Sequence, residues 1–228
     1  MERKHDYNLR NILLMSGAVI LAMFIIAGYV WTQIPAGQEV CIHWNIAGEC
    51  DDYGSKFMSI LLMPIIVLGT VIMLALLPRI EPRANHIAQS HKAYIAVWSV
   101  LLLFFLGLYI ILMLDVLGYG TSANITTILP ILLGVLLIVI GNYLGKVRSN
   151  FFMGIRTPWT LSSELSWNKT HRLGGKLFML QGILCLAGAI FLGSETWLYL
   201  LVGGIIALTL FLVIYSYVVW KNDEERHG

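Results

Sequence analysis

The chain has 228 residues, 58% of them hydrophobic and only 12% charged, with a formal net charge of +2. A soluble domain carries about 25% charged residues, and no amphipathic segment is visible that could cover an apolar core. A water-soluble globular fold is therefore excluded, and the class is that of membrane proteins.

In chain order, the uncharged runs are Asn11–Gln38, Phe57–Pro78, Ala93–Leu114, Val116–Gly145, Leu177–Ser194 and Thr196–Trp220. A helix needs roughly 20 apolar residues to cross the hydrocarbon core. These runs predict an all-α, polytopic integral membrane protein with six transmembrane helices. The first run follows a basic flank, but it is too long for the apolar region of a signal peptide. It is read as an uncleaved first span. Of the 15 Lys and Arg residues, only Lys56 falls on the side opposite all the others. The positive-inside rule then puts both termini in the cytoplasm. The outer side holds Glu39, Glu49, Asp51, Asp52 and Glu195, with Asp115 close by. Such a face mildly attracts cations, although avoidance of positive charge outside also produces it.

The outer loop between the first two spans reads QIPAGQEVCIHWNIAGECDDYGSK. Turn chemistry recurs at Pro35–Gly37, Ala47–Gly48 and Asp52–Gly54. The alternating VCIHWNI between them predicts a short hairpin or extended cap, with Trp44 and Tyr53 as interface anchors. His43, Asp51, Asp52 and Cys41 match no zinc spacing, so no metal is expected. Pro78 and Pro82 limit helix continuation before the third span. Gly141-Asn-Tyr-Leu-Gly145 and Gly203-Gly-Ile-Ile-Ala207 are small-residue stripes that let helices approach closely. They are read as intrachain contacts, with a homo-oligomer left open.

The inner loop, Lys146–Lys176, is the densest polar stretch of the chain. Thr157 as N-cap and Pro158 at the first helical position start a helix. It is expected to run to about His171, with Trp159 and Trp167 on one face, Lys169 and Arg172 beside them, and a break at Gly174-Gly175. Such a helix either lies on the inner leaflet among membrane lipids or docks a cytosolic protein. His86, His91 and His171 show no ligand spacing, and the Asn124 and Asn168 sequons sit in unsuitable places. No nucleophile–base arrangement is present, so no enzyme activity, catalytic residue, metal or cofactor is expected.

These two loops resemble a known family. IP, IHWNIAG and DDYGSK are similar to the domain of unknown function DUF1648, found at the start of many SdpI-type proteins. GNYLGKVRSNFFMGIRTPWTLSSELSWNKTHRLGGK resembles the SdpI signature itself. Three segments are expected: residues 1–78 as the DUF1648-like part, 79–120 as the third span with its links, and 121–228 as the SdpI-like part. The resemblance implies immunity against an extracellular peptide toxin in a multi-pass bacterial cell-membrane protein. It also implies signal transduction, by sequestering a cytosolic ArsR-type repressor at the membrane, with no direct nucleic-acid binding. On that reading His43, Trp44, Asn45, Gly48, Asp52, Tyr53, Gly54 and Lys56 face the toxin. Arg156, Thr157, Pro158, Trp159, Thr160, Glu164, Trp167, Asn168, Lys169 and Arg172 bind the cytosolic partner. The alternatives are a small-solute or lipid transporter and an integral membrane enzyme with Arg156 on a phosphate. Cys41 and Cys50 depart from the family pattern. Both fall on the oxidising side, and Asn45 and Gly48 allow the chain to turn back, so a Cys41–Cys50 disulfide is expected. Cys185, within the fifth span, is read as a small apolar residue.

Overall fold

The computed structural model describes residues 9–120, 122–192 and 194–225. Arg3, Lys4 and Arg226 of the charge partition lie outside them, as do the side chains of Asn124 and Glu195. The elements, in order, are α1 (Arg10–Gln33), β1 (Val40–Trp44), β2 (Cys50–Gly54), α2 (Lys56–Ile80), α3 (Ala84–Gln89) and α4 (His91–Val116). They continue with α5 (Ser122–Leu144), α6 (Pro158–Ser162), α7 (Glu164–Phe191) and α8 (Ser194–Lys221). Among the described residues, α1, α2, α4, α5, α7 and α8 are long and apolar enough to cross a membrane. Large apolar side chains such as Leu21, Ile190 and Phe191 are exposed, as expected where lipid is the solvent.

Helix ends follow local chemistry. α1 stops at Gln33 because Ile34 is extended ahead of Pro35. α2 starts at Ser55, whose hydroxyl accepts from the Met58 N–H at 3.4 Å. The helix runs through Pro64 and reaches Pro78 in its last turn. A proline lacks the N–H that would bond the carbonyl four residues back. The orphaned carbonyls are those of Ile60 and Leu74, and α4 satisfies both. Tyr109 Oη donates to the Ile60 carbonyl at 2.9 Å, and Tyr94 Oη donates to the Leu74 carbonyl. In hydrocarbon an unpaired carbonyl costs several kcal/mol, so these tyrosines let α2 carry its prolines.

The helices pack as two groups. Met23, Val30, Ile60, Val67, Trp98 and Tyr109 belong to one core formed by α1, α2 and α4. Leu137, Cys185, Trp197 and Leu201 form a second, between α5, α7 and α8. A small third cluster, Ala93, Val147 and Trp167, bridges the groups at the end where α5 leads into α6. The closest approach is between α5 and α7. A Cβ on Gly141 would lie 2.6 Å from the Gly175 carbonyl, and a Cβ on Gly175 would lie 2.6 Å from that of Gly141. Gly134 and Gly182 face one another in the same way, at 2.9 and 2.6 Å. The two antiparallel helices thus share a glycine seam of heptad spacing.

Two expectations are corrected by this packing. Gly174-Gly175 does not break the chain; both are buried inside α7, which runs unbroken from Glu164. The missing side chain of Gly175 allows contact with α5, and that of Gly174 makes room for Ile155, Leu144 and Leu212. The helix starting at Pro158 does not reach His171 but ends at Ser162, because Ser163 is extended and caps α7. At about 1.5 Å per residue, the 28 residues of α7 span roughly 42 Å, so its first turns project beyond a ~30 Å hydrocarbon layer.

Candidate functional site

Polar residues gather at opposite ends of the bundle. At one end β1 and β2 pair antiparallel, with irregular register around His43. Cys41 and Cys50 are joined by a disulfide, Cα–Cα 5.9 Å. Asn45 closes the turn: its side-chain oxygen accepts from the N–H of Ala47 at 2.9 Å and of Glu49 at 3.0 Å. The hairpin is tied to the helices below. Trp44 Nε1–H donates to Asp115 at the end of α4, at 3.0 Å. Ser59 Oγ donates to the Cys41 carbonyl at 3.0 Å. Lys56 Nζ donates to the Ile34 carbonyl at 2.6 Å and lies over the Trp31 ring.

Of the residues read as outward-facing, His43, Asp52 and Tyr53 are exposed, and His43 pairs with Asp51 at 2.5 Å. Trp44, Asn45, Gly54 and Lys56 are half-buried. Gly48 is buried, so it shapes the turn and offers no contact surface.

At the other end, the loop between α5 and α6 folds in as a latch. Asn150 is fully buried; its oxygen accepts from the N–H of Phe152 at 2.8 Å and of Met153 at 2.6 Å. Glu81 is 4% exposed and accepts from the N–H of Arg83 at 2.9 Å and of Phe151 at 3.0 Å. Ser149 takes Arg83 Nη1–H on its hydroxyl at 2.5 Å and faces His86 Nδ1 with its carbonyl at 2.6 Å. The Arg148 N–H donates to Ser90 Oγ, at the root of α4, at 2.9 Å.

His171 holds the next stretch. Its Nε2 accepts from the Ile155 N–H at 3.0 Å, so the proton sits on Nδ1, which donates to the Trp167 carbonyl at 2.8 Å. The ring stacks on Trp167 at 3.9 Å, and Trp167 Nε1–H donates to the Val147 carbonyl at 2.7 Å. Thr157 and Thr160 form a reciprocal capping box at the start of α6. Thr157 also meets Ser216 Oγ of α8 at 3.0 Å, and Ser163 Oγ donates to Asp223 at 2.5 Å. The loop is thereby stitched to α3, α4, α7 and α8.

The partner-binding set divides accordingly. Arg156, Pro158, Glu164, Asn168, Lys169 and Arg172 are exposed, and Trp159 is half-buried with its edge against Tyr217. Arg156 donates to the Phe151 carbonyl. Thr157, Thr160 and Trp167 are buried and serve the packing of the loop. Trp159 and Trp167 share no face, since they lie on different helices. Sequence reading missed Glu81, Ser90, Asn150, His171, Ser216 and Asp223 as parts of the latch. A polar residue inside an otherwise apolar helix, such as Ser216, was the available signal. Beside the latch lies a groove of about 740 Å³ between Arg83 and His86 on one wall and Glu164 and Asp223 on the other.

With this geometry in view, comparisons with known proteins are specific. Residues 146–216 match the SdpI/YfhL protein family, and residues 18–68 match the domain of unknown function DUF1648. The first match covers the latch, α6, α7 and most of α8; the second covers most of α1, the hairpin and the first half of α2. The chain is 26% identical over 212 residues to "Immunity protein SdpI" of Bacillus subtilis (strain 168), covering 92% of this chain and 96% of that protein. No solved structure matches. Each match includes residues of one polar end, and the chain is a multi-pass bacterial membrane protein in which a segment similar to the SdpI/YfhL family follows one similar to DUF1648.

Proposed function

We propose that the chain is a membrane immunity protein that protects its cell from an extracellular peptide toxin and signals the encounter inward. The carrying observation is its similarity to an immunity protein along 92% of its length. The positive-inside rule orients the bundle with the disulfide hairpin outside and the latch in the cytoplasm. The hairpin meets the toxin through its exposed His43, Asp52 and Tyr53. The partner is a cytosolic ArsR-type repressor, held through Arg156, Trp159, Glu164, Asn168, Lys169 and Arg172. Membrane lipids cover the apolar flanks.

α4 connects the two ends. Its outer end receives the hairpin through Trp44 and Asp115. At its inner end Ser90 accepts the N–H of Arg148 in the latch. A displacement of the hairpin therefore reaches the latch along one continuous helix of 26 residues. Allosteric coupling of this kind is worth about 1–3 kcal/mol.

Survival of a sensitive strain tests the reading. Cells expressing the chain are challenged with the secreted peptide fraction of the organism that encodes it. The expected outcome is growth where the empty-vector control dies. Equal killing of both strains refutes the immunity role.

A further inference from the structure

Directly beneath the hairpin is a crevice of about 290 Å³ between α2 and α4. Its roof includes Ile42 and Trp44, and its walls include Met58, Leu62, Phe105 and Leu112. Met58, Leu62 and Ile66 on α2 are exposed, so the crevice opens sideways to the membrane. Trp44 cannot swing freely into it, because its indole N–H is held by Asp115. The volume is near the lower limit of about 300 Å³ for small-molecule pockets, which suits a pair of apolar side chains and not a whole ligand.

The rim has the opposite character. Glu49, Asp51 and Asp52 are exposed on the hairpin, and Asp115 lies at its base. Lys56 is the only Lys or Arg at this end among the described residues, and it is committed to the Ile34 carbonyl and the Trp31 ring. An apolar slot under a negative rim complements a molecule with apolar side chains beside positive charge. It repels the headgroup of an anionic phospholipid.

We infer that this crevice is where a cationic amphipathic peptide, lying in the outer leaflet, inserts its apolar side chains beneath the hairpin. The inference rests on the outward orientation and peptide-facing role proposed above, and it adds the binding slot and the class of peptide. It also places the ligand against Trp44 and α4, the elements that lead to the latch.

Photo-crosslinking tests it. The full chain in phosphatidylcholine vesicles is exposed to a synthetic Leu/Lys amphipathic helix carrying a photoreactive leucine, and labelled residues are mapped by mass spectrometry. Labels are expected at Met58, Leu62, Met63 and Leu112. Filling the slot with Leu62→Trp should lower labelling about tenfold, and Asp51→Asn with Asp52→Asn should lower it several-fold, most at low salt. Ile66→Trp is a second filling variant, used if Leu62→Trp loses the disulfide or its thermal midpoint. Labels spread evenly over lipid-facing positions such as Leu21 and Ile206, or unchanged by filling, overturn the inference. So does a photoreactive phosphatidylglycerol that labels the slot and is not displaced by the peptide. The survival assay separates the two readings. If the unaltered chain does not protect, the proposed function fails. If Leu62→Trp protects as well as the unaltered chain, the crevice alone fails.

Discussion

Gly154, in the loop ahead of α6, has φ +108°, a backbone state that residues with a side chain rarely adopt. A Cβ there would lie 2.2 Å from His171 Nε2, the atom that accepts the Ile155 N–H. Both the backbone and the space therefore require glycine. Gly154→Ala is expected to open the latch and cost at least about 1–3 kcal/mol. His171→Phe keeps the stack on Trp167 but leaves the Ile155 N–H without its acceptor, at a cost of about 1–3 kcal/mol. Hydrogen exchange checks both: the Ile155 amide should lose protection in each variant, while the Asn45–Glu49 turn keeps its own. Unchanged protection at Ile155 would show that the latch does not depend on this bond. His171 lay in plain view in the sequence without ligand spacing. Its role is a hydrogen bond across 16 residues of chain, and such a partner is set by the fold, not by local pattern.

At the scale of elements, two contacts hold the bundle in ways that hydrophobicity cannot. Between α5 and α7 the backbones touch at Gly141–Gly175 and Gly134–Gly182. Lipid is as apolar as leucine, so close packing drives such an association. Gly141→Leu or Gly175→Leu forces the helices apart, since the atom met first is a backbone carbonyl and cannot rotate away. A drop in thermal midpoint in detergent is expected for each, with little further loss when the two are combined. A simple sum of losses would mean that the pair does not share one contact. Between α2 and α4 the tyrosines replace donors that prolines lack. Tyr109→Phe leaves the Ile60 carbonyl bare, and a loss of about 1–2 kcal/mol is expected. Pro64→Ala supplies the missing N–H, so combining it with Tyr109→Phe should recover part of that loss in the same unfolding experiment. The glycine stripe at Gly141 and Gly145 was readable as a contact. Its partner on α7 was not, because Gly174-Gly175 has the local signature of a break.

For the whole molecule, the proposed function rests on orientation and on coupling between the two ends. Single cysteines at Gln38 or Tyr53 should react with an impermeant reagent on intact cells, and cysteines at Asn168 or Lys169 only after permeabilisation. The reverse pattern would exchange the roles of hairpin and latch. Trp44→Phe removes the N–H held by Asp115 while keeping an aromatic roof. Repressor recovery in membranes on exposure to peptide is expected to fall about tenfold, within the range of allosteric coupling energies. Arg156→Ala and Trp159→Ala should abolish that recovery and leave protection in place, since the hairpin is untouched. The disulfide closes a separation of nine residues. On the chain-entropy model its loss in Cys41→Ser with Cys50→Ser costs about 2–3 kcal/mol, read as a lower unfolding midpoint than the unaltered chain under non-reducing conditions.

Much of this protein was determined by sequence alone. Runs of uncharged residues long enough for a bilayer dictate six helices, because neither charge nor unpaired backbone survives in hydrocarbon. The distribution of Lys and Arg argues for an orientation, and the turn residues of the outer loop narrow it to a hairpin or an extended cap, since turn chemistry acts within a few residues. The tertiary structure decided what acts across the chain. It made Gly175 part of a helix seam, made Trp167 a buried pillar of the latch, and gave the carbonyls freed by Pro64 and Pro78 their tyrosines. In each case the deciding partner lies far along the sequence. A small residue, an indole or a hydroxyl has no fixed meaning until packing brings its partner within contact distance.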